Sequence, residues 1–369
     1  MNIYAEVGGV DYKQIQPFKD FMREIGLRTL TFPNRRQVIV ESDGSYCTWS
    51  KDHRLCQVTE GLGNKNWIAE WMYLFSGTGN SYYSGIGIDN ALMAANDLAA
   101  KGALPIIYTD EAAAGDSEWF NDANRRHDLG ESYFRVCQET GMALVGGESP
   151  SLRYLIRATE PVKSAPVLSG CATGIISPAS FKVNGSRLRP RNVILAAPST
   201  GLHSNGASLV IGKALGLPEQ FLTKLPNGKT LGEEALIPTR SYVQLVEALQ
   251  QNEVQVSAFL PGTGDGVAKL AFDKRPLTYR IHTWWTEDQI PLLFRVMHEV
   301  CEVPLDTCLT TFNWGAGWYI FVDPGNVQKT MDVAEKAGYP LLPVGTVEEG
   351  PRQTVFGPYN NMVLPPPGE

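Results

Sequence analysis

The sequence lacks the features that identify several large classes of protein. None of its apolar runs reaches the roughly 18 residues that a membrane-spanning helix needs, and no basic segment leading into an apolar stretch suggests a signal peptide. Charged residues make up only 19% and the net charge is -7, so the chain has no basic excess of the kind typical of proteins that bind nucleic acid or anionic membranes. We therefore expect a cytoplasmic protein that binds neither nucleic acid nor membranes.

Disulfide and zinc chemistry are also poorly represented. The cysteines form no Cys-x-x-Cys pair and have no histidine at zinc-ligand spacing. We predict reduced, structural thiols at all six positions, which are Cys47, Cys56, Cys137, Cys171, Cys301 and Cys308.

What is present is an ordinary globular composition, 43% hydrophobic, in a chain of 369 residues that is long enough for two domains. Residues 167–176 are apolar and small, which predicts a buried strand, and the polar residues 177–191 resemble a linker. A second buried strand is predicted at 193–198. We predict domains at 1–176 and 177–369.

Helical and strand patterns alternate in both halves. In the first half we predict a helix at 89–101 and a strand at 104–108. In the second half the patterns favour helices at 242–249, 285–299 and 326–336, and a strand at 318–322. By itself this alternation indicates only a mixture of α and β structure.

A polar loop at 201–206, with the sequence Gly-Leu-His-Ser-Asn-Gly, leads into an apolar helical pattern. The first turn of a helix presents free backbone N–H groups and a positive dipole end, which suit a phosphate or another anion. Ser204 and Asn205 are equally suited to capping that helix, and a lone histidine such as His203 is often structural.

Acidic residues interrupt the Ala- and Leu-rich helix predicted at 89–101. Asp89 and Asn96 are seven residues apart and fall on one face, with Asp97 displaced by about 100°. A carboxylate buried there without a partner would be costly, and a metal ion would remove that cost. The alternatives are a helix cap for Asp89, a solvated face for Asp97 and a loop carboxylate for Glu148.

The order of these motifs along the chain resembles the aminoimidazole ribonucleotide synthetase (phosphoribosylformylglycinamidine cyclo-ligase) family. Residues 59–65, Thr-Glu-Gly-Leu-Gly-Asn-Lys, resemble its Thr-Asp-Gly-Val-Gly-Thr-Lys, and 146–149 resemble its Gly-Gly-Glu-Thr. The loop at 201–206 is itself similar to a family loop. Further similarities, which extend the resemblance from residue 4 to about 350, lie at 4–11, 87–89, 96–98, 102–105, 238–242, 311–317 and 344–347.

The resemblance implies an α+β fold of two domains, with an N-terminal sheet that pairs across a homodimer, and a reaction that uses ATP and Mg²⁺. It implies that formylglycinamidine ribonucleotide is cyclised to aminoimidazole ribonucleotide, with ADP and phosphate released through an iminophosphate. It implies magnesium ligands at Glu60, Asp89, Asp97 and Glu148. It adds nucleotide contacts at Gly61, Gly63, Lys65 and Asn96, with Lys65 on phosphate. It places substrate contacts at His203, Ser204, Asn205, Thr263 and Asn313, and catalytic roles at Asp97, His203 and Asn205.

Several positions depart from the family pattern. Glu60 replaces an aspartate, residues 151–153 lose a carboxylate, and the loop at 261–266 loses a histidine and gains Asp265. The family's glycine-rich loop is not visible within 28–50. Another ATP-using relative (a selenophosphate synthetase, thiamine-phosphate kinase, hydrogenase-maturation dehydratase or formylglycinamidine ribonucleotide synthetase) and a non-catalytic nucleotide-binding paralogue are the alternatives. The motifs at 202–206, 238–242 and 311–317 together favour the cyclo-ligase.

Overall fold

The computed structural model describes residues 52–368 and, ahead of them, residues 17, 20, 21, 24, 28, 32, 39–40 and 46–48. The motif at 4–11 and most of the 28–50 interval therefore lie outside the described residues. None of the helices in the described residues is long and apolar enough to cross a membrane. In the part of the chain that the structure describes there are two β-sheets, one on each side of residue 177.

The first sheet has six strands in the order β1-β2-β3-β6-β4-β5, and only the β4–β5 pair is parallel. Its strands are β1 Ile39–Val40, β2 Tyr46–Thr48, β3 Arg54–Gly61, β4 Leu104–Ala113, β5 Ala143–Glu148 and β6 Val167–Ile176. Within residues 52–176 the helices are α1 Lys65–Phe75, α2 Ile86–Ala100, α3 Glu118–Asn121 and α4 Ala123–Thr140.

The two faces of the first sheet have different surroundings. Along β6, Leu168, Ala172 and Ile176 are buried and alternate with partly exposed residues, as expected for a strand with one covered face. Helix α2 packs against β3, β4 and β6 and covers this inner face. On the outer face, Ile107 is 38% and Val167 55% exposed.

The second sheet has seven strands in the order β13-β12-β9-β11-β7-β10-β8. Every residue of the inner strand β10 is buried. Its strands are β7 Val193–Pro198, β8 Ala258–Pro261, β9 Leu277–Ile281, β10 Ala316–Val322, β11 Leu342–Glu349, β12 Gln353–Phe356 and β13 Met362–Leu364. Around it lie α5 Ala207–Ala214, α6 Leu231–Ala235, α7 Val243–Gln251, α8 Leu292–Glu299, α9 Leu305–Thr311 and α10 Val327–Lys336, with a 3-10 helix at Gly266–Phe272.

Strands β6 and β7 have the bounds that the sequence predicted, and the predicted helix at 326–336 is α10. The helix predicted at 285–299 is too long, because α8 begins only at Leu292. Pro291 precedes it in an extended conformation, with φ -47° and ψ 132°, and proline cannot donate the N–H that a continuing helix needs. The division into domains at residue 177 stays a prediction.

Candidate functional site

Helix α2 carries Asp89 into a fully buried ion pair. Its Oδ2 lies 2.7 Å from Nζ of Lys65, and both side chains are 0% exposed. Its Oδ1 accepts from the backbone N–H (2.8 Å) and the hydroxyl (2.5 Å) of Thr239, which belongs to the second half of the chain. The Lys65 ammonium also donates to the carbonyl of Ile237 at 2.8 Å. Both groups are thus occupied by protein partners.

Asn96 continues this line of contacts. Its side-chain oxygen accepts from the N–H of Tyr242 (2.9 Å) and its amide donates to the carbonyl of Arg240 (3.1 Å). The predicted alignment of Asp89 with Asn96 on one helix face is therefore confirmed, and that face contacts the 237–242 segment. We call these residues the α2 seam: Lys65, Asp89, Asn96, Thr239 and Tyr242.

Burial acts in opposite directions on the two charges of the α2 seam. It raises the pKa of Asp89, against the lowering effect of Lys65 and Thr239, and it lowers the pKa of Lys65, against the effect of Asp89. A buried ion pair of this kind keeps both groups charged only while each partner is present.

Asp97 is one residue beyond Asn96 and faces a different environment. A hydrogen bond joins its half-buried carboxyl group to that of Glu60, on β3. Burial raises the pKa of Asp97, and the positive charges of Lys269 and Lys101 together with the Glu60 hydrogen bond act against that rise. Two of the predicted metal ligands are thus brought together, with two lysines nearby.

A cavity of about 210 Å³ opens beside this pair, between α2, residues 183–185 and the second sheet. We call it the cleft; its lining includes Asp97, Lys101, Asn184, Phe259, Lys269 and Phe272. Thr263, predicted to contact substrate, accepts a hydrogen bond from the Lys269 ammonium. The cleft therefore combines carboxyl and ammonium groups, and Lys269 links it to the Thr263 hydroxyl.

The turn from β3 into α1 leads from Glu60, the hydrogen-bond partner of Asp97, to Lys65 of the α2 seam. Gly61 ends β3, and Gly63 has a left-handed φ of 70° that L-residues rarely adopt. Asn64 donates from its side chain to the hydroxyl of Ser208 on α5 at 2.8 Å. The two predicted nucleotide-binding glycines thus shape a turn held against the second half of the chain.

His203 is buried and neutral. Its side chain is 3% exposed, and Nε2 accepts from the N–H of Thr200 at 3.3 Å. Burial, helped by the positive charge of Lys65, lowers the pKa of His203 to about 3. At neutral pH the imidazole is uncharged, so it can hydrogen-bond to an anion but cannot form an ion pair with it.

The loop around His203 is fixed by backbone geometry more than by capping. Gly206, with φ 89°, directly precedes α5, and no side chain caps that helix. A Cβ at Gly206 would lie 2.6 Å from the ring of Phe312, so only glycine fits there. Ser204 contacts the Asp89 carbonyl and the Thr239 hydroxyl at 3.5 Å each, and Asn205 is half-buried.

Asn313 braces the same loop from the other side. Its oxygen accepts from the Ser199 hydroxyl (2.8 Å) and the Gly315 N–H (3.0 Å), and its amide donates to the Gly201 carbonyl (2.9 Å). It is buried, and these bonds use both ends of its amide. A direct substrate contact by Asn313, as predicted, would have to use the second N–H of its amide, since the other donor and the oxygen are already bonded.

Glu148 lies apart from the other predicted metal ligands. It is the register neighbour of Glu111, which pairs in turn with Ser169, and the Ser169 hydroxyl donates to Glu111 at 2.9 Å. Register neighbours point to the same face of a sheet, so Glu148 is on the outer face, whereas Glu60 is in register with buried Gly170 on the inner face. Glu148 is exposed, and its carboxylate accepts from the N–H of Ser149 at 3.0 Å.

Asp110 is a candidate that the sequence pattern did not single out. It is in register with Gly170 and hence in the same row as Glu60, about 10 Å away at two strand spacings. The ring of Tyr108 packs over Gly170 between them, the Asp110 carboxyl group lies over Gly147 of β5, and burial raises the pKa of Asp110. Sequence reasoning could not single it out, because the raised pKa that marks such a carboxyl group depends on burial in the folded chain.

Among the residues of the described ranges, no three His, Cys, Asp or Glu side chains are grouped closely enough to hold a metal ion by themselves. Mg²⁺ bound with a nucleotide, however, commonly takes only one or two carboxylates and completes its shell with water and phosphate oxygens. The Glu60–Asp97 pair fits that requirement.

Comparisons with known proteins place this arrangement in a class. The model of the AIR synthase related protein N-terminal domain matches residues 41–176. The solved hydrogenase maturation protein HypE in complex with ATP superposes with a TM-score of 0.54 and 14% identity, over 82% of this chain and 81% of that one. The fold is thus that of the AIR synthase-like proteins, which include ATP-using enzymes.

Curated relatives narrow the class to one family. The phosphoribosylformylglycinamidine cyclo-ligase of Thermococcus gammatolerans is 30% identical over 359 residues, 95% of this chain and 97% of that protein. The enzyme of the same name from Carboxydothermus hydrogenoformans is 29% identical over 82% of this chain and 83% of that one. The chain belongs to the phosphoribosylformylglycinamidine cyclo-ligase family.

Proposed function

We propose that this protein is an ATP-dependent cyclo-ligase of purine biosynthesis, which converts formylglycinamidine ribonucleotide to aminoimidazole ribonucleotide with release of ADP and phosphate. The observation that carries the proposal is the 30% identity to a cyclo-ligase along nearly the whole of both chains. The joined carboxyl groups of Glu60 and Asp97, beside a cleft lined by lysines, supply a site for the nucleotide.

The reaction needs ATP because an amide oxygen is a poor leaving group. Transfer of the terminal phosphoryl group of ATP to the formyl amide oxygen gives an iminophosphate, and the amidine nitrogen then attacks that carbon as phosphate departs. Such a sequence asks the protein mainly for alignment and for neutralisation of charge on the phosphates.

Glu60 and Asp97 would hold the magnesium ion that accompanies ATP. When bound, Mg²⁺ neutralises charge on the transferred phosphate oxygens. Asp89 and Lys65, predicted as ligands of metal and phosphate, form the ion pair of the α2 seam, and their ligand roles stay predictions.

The substrate would lie against the 201–206 loop and Thr263. His203 is neutral there, so its role is hydrogen bonding and positioning. Ser204 and Asn205, which are half-buried, are placed to contact the ribonucleotide. Asn313 supports the loop from behind through its bonds to Ser199 and Gly201.

The outer face of the first sheet suits a second copy of the chain. Ile107 and Val167 expose apolar side chains on that face, which is where the resemblance to the family implies that two N-terminal sheets pair in a homodimer. We expect sedimentation of the wild-type protein as a dimer and of Val167→Asp as a monomer. Val363→Asp is the matched control, because Val363 is equally exposed (57%) but lies on β13. Dimers of both variants would place the interface elsewhere.

The reaction is tested by ADP release from Mg²⁺ and ATP, with and without formylglycinamidine ribonucleotide. We expect release that requires the amidine and that is lost in Asp97→Asn, while Asp332→Asn, an exposed aspartate on α10, retains it. ATP binding without amidine-dependent release in the wild-type protein would instead support a non-catalytic paralogue or a different substrate.

A further inference from the structure

The motif at residues 59–65 does not by itself identify the side chain that would bind the phosphates. Lys65, the lysine of the 59–65 motif, is fully buried with its ammonium against Asp89 and Ile237. The positive charges that act on the Glu60–Asp97 pair are those of Lys269 and Lys101. Both of these side chains also line the cleft.

Lys101 reaches the cleft from the first half of the chain. It directly follows the last residue of α2 and is four residues beyond Asp97, so the two side chains project from the same side of the helix. A lysine at a helix C-terminus is favoured by the helix dipole, which accounts for a cation at this end. The dipole does not account for a second lysine across the cleft.

Lys269 reaches the cleft from the second half, on the 3-10 helix Gly266–Phe272. Its ammonium donates to the hydroxyl of Thr263, in the loop at 261–266 that departs from the family pattern. That loop is tightly held: Gly266 has a φ of 55°, and a Cβ there would lie 2.6 Å from the carbonyls of Leu309 and Phe312. The backbone therefore fixes where Lys269 projects.

We propose that Lys101 and Lys269 hold a phosphate group between them in the cleft, each from one half of the chain. The inference rests on the proposed function in that the phosphate is the terminal phosphate of ATP or the 5′-phosphate of the ribonucleotide. Lysine ammonium groups bind phosphate as point charges, and a magnesium ion held by carboxylates shares its shell with phosphate oxygens. Proximity to Glu60 and Asp97 favours the phosphate of ATP.

The test is calorimetric affinity of Lys269→Gln and Lys101→Gln for MgATP, MgADP and adenosine, and for formylglycinamidine ribonucleotide and its nucleoside. We expect each variant to bind one phosphorylated ligand about tenfold more weakly, as loss of a charged hydrogen bond predicts, and the unphosphorylated partner normally. Lys274→Gln, an exposed lysine just past the same 3-10 helix, is the control and should be unchanged. Lys269→Arg, which keeps the charge, should retain most of the affinity.

A loss specific to ATP over ADP and adenosine assigns the site to the terminal phosphate, and a loss specific to the ribonucleotide over its nucleoside assigns it to the 5′-phosphate. Unchanged affinities, or equal losses for ligands with and without phosphate, overturn the inference. The two proposals fail separately. Normal affinities of the variants for both ATP and the ribonucleotide, with amidine-dependent ADP release in the wild type, remove only the lysine site, and absence of that release removes only the reaction.

Discussion

Helix α2 presents two neighbouring regions that use the same residue types differently. In the α2 seam, Asp89 and Asn96 bond to the backbone or side chains of residues 239–242, and Lys65 completes the ion pair. In the cleft, Asp97 hydrogen-bonds to another carboxyl group and lies near two lysines that line a cavity. The polar groups of the seam bond to one another and to the backbone, whereas the cleft places carboxyl and ammonium groups beside open space.

The difference shows that a family motif mixes residues with structural and chemical tasks. Asn96 and Asp97 are adjacent, yet Asn96 bonds to the backbone of residues 240 and 242, whereas Asp97 is a candidate metal ligand. A buried polar group whose bonds are all made by protein stabilises the fold, and one held next to a like charge at a cavity is a candidate for function. The variants below separate the two.

The largest effect is expected from Asp89→Asn. The substitution keeps the shape of the side chain but leaves Lys65 charged and fully buried without its partner. Breaking a buried ion pair in this way costs about 3–5 kcal/mol. Chemical denaturation should show that loss in the free energy of unfolding.

The double variant Lys65→Met with Asp89→Asn is the control for that interpretation. Removing both charges leaves no unpaired buried ion, so the double variant should be more stable than Asp89→Asn alone. If the two single losses simply added, the ion pair would not be the source of the effect.

We expect Asp97→Asn to behave in the opposite way, with activity lost and stability kept. Burial disfavours the charge of Asp97, so its removal should leave the free energy of unfolding within about 1 kcal/mol of the wild type or raise it. Amidine-dependent ADP release should fall at least about 100-fold, because a carboxylate proposed to hold the magnesium ion is lost. A variant that unfolds easily and still turns over would place Asp97 in the seam.

His203 should make stability fall with acid. Its pKa is lowered to about 3 in the folded protein from about 6.5 when unfolded, so between these values only the unfolded state binds the proton. Stability is therefore present above pH 6.5 and lost as the pH falls towards 3, by on the order of 2 kcal/mol at pH 5. The unfolding free energy of His203→Gln, measured from pH 7 to 5, should lack this part of the slope, and an unchanged slope would contradict the lowered pKa.

Sequence periodicity and motifs predicted much of the fold and part of the candidate site. The strand at 167–176, the helix around 89–101 and the shared face of Asp89 with Asn96 follow from local spacing, which the backbone preserves. The helix at 285–299 was overestimated because apolar spacing outweighed Pro291 in the pattern.

Local spacing does not predict which partner each motif residue contacts in the folded chain. Lys65 and Asp89 are 24 positions apart, and Thr239 lies 150 beyond Asp89, so their pairing depends on how the two halves pack. Lys101 and Lys269 belong to no recognised motif and come together only across the cleft. The face that a carboxylate occupies likewise depends on strand register.

The smallest effect is expected from substituting Glu148, which strand register places on the outer face of the first sheet. Because its side chain shares the outer face with Glu111 and Ser169, Glu148→Gln should leave the affinity for MgATP within about twofold of the wild type. Glu60→Gln is the matched substitution on the inner face, and it should weaken MgATP binding strongly because Glu60 is joined to Asp97. Titration calorimetry of both variants compares the two faces directly. Equal losses would mean that Glu148 reaches the nucleotide after all, and that the outer face, where we place the second copy of the chain, belongs to the site.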